Sequence, residues 1–163
     1  MSLHKIQFLG ERGVHFSAES LIAEIVRFVK SQPERFYKIV VGTDSHPGEK
    51  TVLVTAITIW RVGNGAIHFW TKSRPQRFPT LRERIWQEAL ASIMLAQEFR
   101  SLLQDALGED FFWDGNEIHV DIGLNGPTRD LVDGVVGMIK GYNFHPVIKP
   151  YAFGASVVAD RHT

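Results

Sequence analysis

The stretch that most constrains this chain is residues 38–46, Lys-Ile-Val-Val-Gly-Thr-Asp-Ser-His. Ile39, Val40 and Val41 form an unbroken apolar run, the pattern of a strand buried on both faces. Gly42, Thr43 and Asp44 follow, and Ser45, His46, Pro47 and Gly48 supply turn chemistry. A carboxylate therefore stands at the carboxyl end of an interior strand. Ionised there, it is costly unless positive charge meets it. The rest of the chain is accordingly read for what it can deliver to Asp44.

At 163 residues, a single domain over 1–163 is expected, with enough chain for a real core. Eighteen Lys and Arg balance eighteen Asp and Glu. That balance argues against a protein that coats nucleic acid by bulk charge, but it leaves room for a local basic patch. The absence of Cys removes disulfides and thiolate zinc sites and fits a reducing, cytoplasmic setting. No apolar run approaches the roughly 18 residues of a membrane span, and the N-terminus shows no signal-peptide core. No membrane partner is expected.

Residues 1–16 carry scattered apolar positions and read as an irregular lead-in. Ser17 is a helix N-cap, and Leu21, Ile22, Ile25, Val26, Phe28 and Val29 make a helical stripe, giving a helix over 17–32. Residues 38–44 are the first strand and 51–61 the second, the latter apolar on both parities. Gly63-Asn64-Gly65 signals a hairpin into a third strand, 66–72. Thr80 and Glu83 form a capping box that opens a long helix to about residue 107. An aromatic loop (Phe111, Phe112, Trp113) and an Asp114-Gly115 turn lead to a fourth strand, 118–122. The intervening helix lets this strand run parallel to the first. Gly126-Pro127 opens another helix, ended by Gly141, before a fifth strand at 146–149 and a short last helix over 155–160. The expected class is α/β, with a five-stranded mixed sheet: a three-strand antiparallel meander plus two parallel strands, flanked by helices.

An Asp at a strand end, taken alone, also reads as a turn or cap residue. Asp44 and Asp121 at the ends of neighbouring parallel strands, about 4.8 Å apart, read differently. They repel and raise each other's pKa unless a divalent cation holds them. Glu88 shares one helical face with Leu81, Ile85, Ser92 and Leu95. A Glu in a core-facing stripe needs a partner, either a metal ion or a buried arginine. Glu83 is accounted for by capping, and Glu98 can face either way. Asp160 follows the apolar-and-small run that begins at Ala155, although acids near a chain's end are commonly solvated.

Strand acid, hairpin, helix acid, strand acid, helix, strand, final helix acid: this order resembles the ribonuclease H-like superfamily. The residues that carry the resemblance are Val41-Gly42-Thr43-Asp44-Ser45, Arg84-Ile85-Trp86-Gln87-Glu88, His119-Val120-Asp121-Ile122-Gly123 and Ala155-Ser156-Val157-Val158-Ala159-Asp160. More narrowly, the chain is similar to the YkuK-like branch of bacterial proteins, a family of poorly defined function. The resemblance spans about residues 17–163. It implies a site in which Asp44, Glu88, Asp121 and Asp160 bind two Mg²⁺ or Mn²⁺ ions. One ion activates water and the other stabilises the leaving oxygen of a phosphodiester. The implied function is a metal-dependent nuclease, a hydrolase acting on RNA, an RNA–DNA hybrid or single-stranded DNA. The alternative is a catalytically weak nucleic-acid- or nucleotide-binding module that keeps the fold.

Around these acids, Lys72, Arg74, Arg77, Arg82 and Arg84 lead into the helix of Glu88 and are candidates for phosphate contacts, set against a merely solvated loop. Phe69, Trp70 and Phe78 are candidates for base stacking or, more simply, core. Asn125 and Thr128 lie at an expected helix N-terminus, where an anion can be held. His46, His119 and His162 each lie two residues from an acid and are candidate proton shuttles, although seven His make coincidence easy. Residues 121–128 are also similar to the phosphate loop of actin-like and sugar-kinase folds, which need two lobes and a longer chain. No Gly-x-Ser-x-Gly elbow supports serine hydrolase chemistry.

Overall fold

The computed structural model describes residues 3–111 and 116–163. The turn and most of the aromatic loop expected at Phe112, Trp113, Asp114 and Gly115 lie outside the described residues. Strand β3 (Tyr37–Asp44) is central. It pairs antiparallel with β4 (Val54–Arg61), from Tyr37↔Arg61 to Asp44↔Val54, and β4 pairs antiparallel with β5 (Ala66–Lys72). The β4–β5 connection uses Gly63 and Gly65 at φ of 77° and 94°, a region open to glycine. On its other side β3 pairs parallel with β6 (Asn116–His119), from Ile39↔Asn116 to Gly42↔His119. Continued two residues past the ladder, that register sets Asp121 opposite Asp44. β7 (His145–Val147) lies parallel beyond β6.

Both faces of β3 and β4 are covered, which explains why their sequences are apolar on both parities. Helices α1 (Ala18–Lys30), α2 (Leu81–Leu107) and α3 (Val132–Gly141) share the larger core with Ile39, Val41, Ile57, Ile59 and Ile118. Ser17 caps α1 by accepting from the Ser20 N–H, and the Thr80–Glu83 capping box opens α2. Between sheet and α2, the Thr43 hydroxyl lies 2.7 Å from that of Ser92 and 2.9 Å from that of Thr55, so three buried hydroxyls satisfy one another. The opposite face carries a smaller cluster, Val54, Ala56, Trp70 and Ala159, under a C-terminal π-helical turn, Gly154–Ala159. A Cβ on Gly154 would stand 2.6 Å from Val40 Cγ1. Only glycine lets this turn approach the sheet so closely.

The α/β class and the mixed sheet are as expected, but the sheet has seven strands, in the order β2-β1-β5-β4-β3-β6-β7, rather than five. The expected irregular lead-in supplies the extra pair. β1 (Phe8–Leu9) and β2 (His15–Phe16) form a hairpin that joins the β5 edge through Leu9↔Trp70. Burial of Phe8 edge-on against Phe99, 5.6 Å between ring centroids, holds it there. The fourth strand ends at His119 rather than Ile122, so Asp121 lies in the turn beyond it. The helix expected from Gly126-Pro127 starts only at Val132, after a single 3₁₀ turn, Arg129–Leu131. Gly126 sits at a φ of 86°, and the Thr128 hydroxyl accepts from the Gly123 N–H, so this stretch folds as a loop. Asn125 and Thr128 are therefore not at an α-helix N-terminus. Among the described residues, no helix is long and apolar enough to cross a membrane.

Candidate functional site

Asp44, Glu88, Asp121 and Asp160 arrive from four elements at the carboxyl edge of β3 and β6. Asp44 ends β3 half-buried. Its pKa is pushed up to about 6, chiefly by burial; the Ser45 N–H opposes this, and hydrogen bonding and charge from Asp160, with charge from Asp121, add to it. Two carboxyl groups can share a hydrogen bond only by retaining a proton between them. Asp160 itself is exposed, at the start of the last 3₁₀ turn, Asp160–His162.

Glu88 lies on the buried face of α2 with only 3% of its surface exposed. Its position between Ile85 and Ser92 on one helical face carries it past the end of the sheet. The Ser45 hydroxyl donates to its Oε1 at 2.6 Å, and Arg84 Nη1 donates to the Ser45 carbonyl at 2.7 Å. Burial pushes its pKa up to about 7; Ser45 and Arg84 pull it down, while Asp44 and Asp121 push it further up. Both readings of Glu88 meet here, since an arginine lies nearby and so do the acids. The arginine's hydrogen bond, however, goes to a carbonyl.

Asp121 has a cation beside it. Lys149 Nζ lies 3.1 Å from Oδ1. The approach is close enough for an ion pair, but its angles do not complete a hydrogen bond, so Oδ1 stays buried with an unmet lone pair. Among the described residues, no three acidic or imidazole side chains are already drawn in around one point as a metal cage. The acids are near enough to feel one another's charge.

The family model for ribonuclease H-like proteins matches residues 20–163. The chain belongs to the ribonuclease H-like family. It is also 31% identical to the uncharacterized protein YkuK of Bacillus subtilis (strain 168), over 89% of this chain and 90% of that one. No solved structure matches significantly.

The remaining expected residues of this ribonuclease H-like chain divide. Arg84 is at the site, as part of its scaffold. Lys72, Arg74 and Arg82 are exposed, and Arg77 is paired with Glu49 at 2.8 Å, so its charge is already offset. Trp70 and Phe69 are buried in the core. His46 Nε2 lies 2.9 Å from the Thr163 hydroxyl, tying the loop after β3 to the last turn. His162 stacks on Trp70, 3.5 Å between centroids and 4° from parallel, and its pKa is lowered by burial first and then by His68, Arg161 and Lys72. His119 is 1% exposed with both nitrogens engaged. Nδ1 accepts from the Gly154 N–H at 3.0 Å, so Nε2 carries the proton it donates to Glu117 Oε2 at 2.9 Å.

Sequence reading passed over Ser45 and Lys149. Ser45 follows the strand acid directly, so its hydroxyl was always within reach of whatever met Asp44. Lys149 follows β7, the strand parallel to β6, and its N–H donates to the Ile122 carbonyl at 2.8 Å. Strand alignment thus places Lys149 beside the turn that bears Asp121.

The ribonuclease H-like resemblance implies that such acids hold divalent ions. The donor set here is all carboxylate oxygen, which suits hard cations such as Mg²⁺ and Mn²⁺. Asp121 Oδ1 is a buried acceptor lacking a hydrogen bond, and Asp44 and Glu88 have their pKa raised, first by burial and then by neighbouring acids. The residues present fit such ions.

Proposed function

We propose that this chain is a cytoplasmic, divalent-metal-dependent phosphodiesterase, a nuclease acting on RNA or DNA. The observation that supports it most is the gathering of four carboxyls at one sheet edge, two of them with pKa raised into the neutral range by burial and by neighbouring acids. Asp44, Glu88, Asp121 and Asp160 would hold Mg²⁺ or Mn²⁺, and two such ions supply water activation and stabilisation of the leaving oxygen. The chain's own work is positioning. Ser45 fixes the Glu88 carboxylate, Arg84 fixes Ser45, and the β3–β6 register fixes Asp44 against Asp121. Exposed Lys72 and Arg74 offer charge to phosphates from the segment that enters α2.

With Mn²⁺, wild-type protein should cleave at least one of single-stranded RNA, an RNA–DNA hybrid or single-stranded DNA. Asp44→Asn and Asp121→Asn should each lower the rate at least about a hundredfold, with the double variant little worse, because ligands of one site act as a unit. Arg74→Gln should instead weaken binding and flatten its salt dependence. The second reading, a binding module of weak catalytic power, draws support from Lys149, which already gives Asp121 a positive neighbour. Binding of these nucleic acids without cleavage in Mg²⁺ or Mn²⁺ from pH 7 to 9 would favour it. Neither binding nor cleavage would sink both.

A further inference from the structure

Lys149 is the cation that stands closest to the acids, 3.1 Å from Asp121 Oδ1. Its backbone is fixed: the N–H donates to the Ile122 carbonyl at 2.8 Å, and its Cβ packs where a Cβ on Gly123 would come within 3.2 Å. Its side chain is not fixed in the same way. Half of it, 51%, is exposed, and the ammonium reaches Asp121 Oδ1 at 3.1 Å without completing a hydrogen bond to it. An ammonium on four methylenes is a mobile point charge, whereas a buried ion pair that serves structure is closed by good hydrogen bonds. The same oxygen is the buried acceptor best placed for a metal ion. Lysine and ion cannot both occupy it.

We propose that Lys149 is an internal counter-ion that competes with divalent metal for Asp121: it neutralises the carboxylate in the metal-free protein and swings outward when an ion takes Oδ1. The inference rests on the metal-site reading above. It makes Lys149 a positioning residue that sets the ion concentration at which the site fills.

The test uses full-length protein and Mn²⁺ alone, read by calorimetric titration and by melting temperature in moderate salt. Lys149→Gln should bind Mn²⁺ about tenfold more tightly than wild type, as expected when an internal competitor is removed. Lys149→Arg, which keeps the charge, should stay near wild type, and Lys140→Gln, which removes an equal charge from α3, should change affinity less than about twofold, since distant exposed charges are screened. Melting gives an independent readout. Without metal, Lys149→Gln should melt below wild type because Asp121 has lost its neighbour; with saturating Mn²⁺ the gap should close. A lysine that only packs on Gly123 would lower both melting points equally. The proposal is overturned if Lys149→Gln binds within twofold of wild type, if Lys140→Gln matches it, or if the melting gap persists with metal. If neither wild type nor Lys149→Gln responds to Mn²⁺ or Mg²⁺ by either readout, the metal-site reading itself fails and this inference falls with it. Wild-type binding with an unchanged variant sinks only the role of Lys149.

Discussion

Strands β3 and β6 carry two clusters of ionisable groups, one along their ladder and one beyond its end. Along the ladder, Lys38 Nζ meets Glu117 Oε1 at 2.7 Å, His119 Nε2 meets the other carboxylate oxygen at 2.9 Å, and Gly154 closes the chain through His119 Nδ1. Glu117 is held down to about 2, first by its hydrogen bond from His119 and then by Lys38, against the upward pull of burial. Beyond the ladder, burial wins, and Asp44 and Glu88 rise to about 6 and 7. The outcomes are opposite because Glu117 is met by donors on both oxygens, whereas Asp44 and Glu88 are governed first by burial, which hydrogen bonds from Ser45 offset only in part. The first cluster pins the C-terminal turn to the sheet. In the second, burial and neighbouring acids disfavour the charged form.

The comparison breaks first if the paired cluster is dispensable. Glu117→Ala leaves the buried His119 Nε2–H without an acceptor and Lys38 without its partner, and it loosens the seat of Gly154. Denaturant unfolding should show a loss of about 2–3 kcal/mol, below the full penalty of a broken buried pair because Lys38 can turn its ammonium to water. A loss under about 1 kcal/mol would mean that the network does not hold the turn.

The unpaired cluster should behave in the opposite sense. Asp44 and Glu88 have folded pKa values above their ordinary 3.8 and 4.5, so the folded state binds the extra protons. Metal-free stability should therefore fall as pH rises from about 4 through 7. Glu117, depressed from 4.5 to about 2, works the other way, and its contribution fades as pH drops below 4.5 toward 2. A stability maximum on the acid side, near pH 4–5, follows for the metal-free protein. Glu88→Gln keeps an acceptor for Ser45 and removes the charge. It should stabilise the metal-free protein by about 1–2 kcal/mol at pH 8 and by nothing measurable at pH 4.5. Equal loss at both pH values, in urea titrations run side by side, would reassign Glu88 to structure.

How much of this could be seen in the residues differs from element to element. The β3 run, the Gly63-Asn64-Gly65 hairpin and the Thr80–Glu83 box are local signals, and each formed where its chemistry placed it. Glu88 was visible because one acid interrupts an apolar helical face. The β1–β2 hairpin was not, because strands of two residues carry no period; contacts far along the chain, at Trp70 and Phe99, make them strands. The late start of α3 was hidden by a proline that suits a first helical turn equally well as a loop. His119 alternated in phase with Asp121 and so read as chemistry, yet its two bonds, to Glu117 and Gly154, are tertiary. Lys149 was illegible for the same reason, since its partner lies across two parallel strands.

The smallest expected effect comes from a third kind of acid–base pair. Arg77 and Glu49 approach to 2.8 Å, nearly as closely as Lys38 and Glu117 at 2.7 Å, but their side chains are 69% and 83% exposed. Each keeps most of its water when paired, and holding two long side chains still costs entropy. A double-mutant cycle with Arg77→Gln and Glu49→Gln should give a coupling of about 0–0.5 kcal/mol, falling further with added salt. The value sharpens the contrast between the buried clusters. If an exposed pair of nearly equal length contributes almost nothing, the stability lost in Glu117→Ala cannot come from proximity of opposite charges alone. It must come from leaving buried groups unmatched, which is the condition of Asp121 Oδ1 already. A coupling above about 1 kcal/mol would instead make distance sufficient, and the difference between the two clusters would no longer turn on burial.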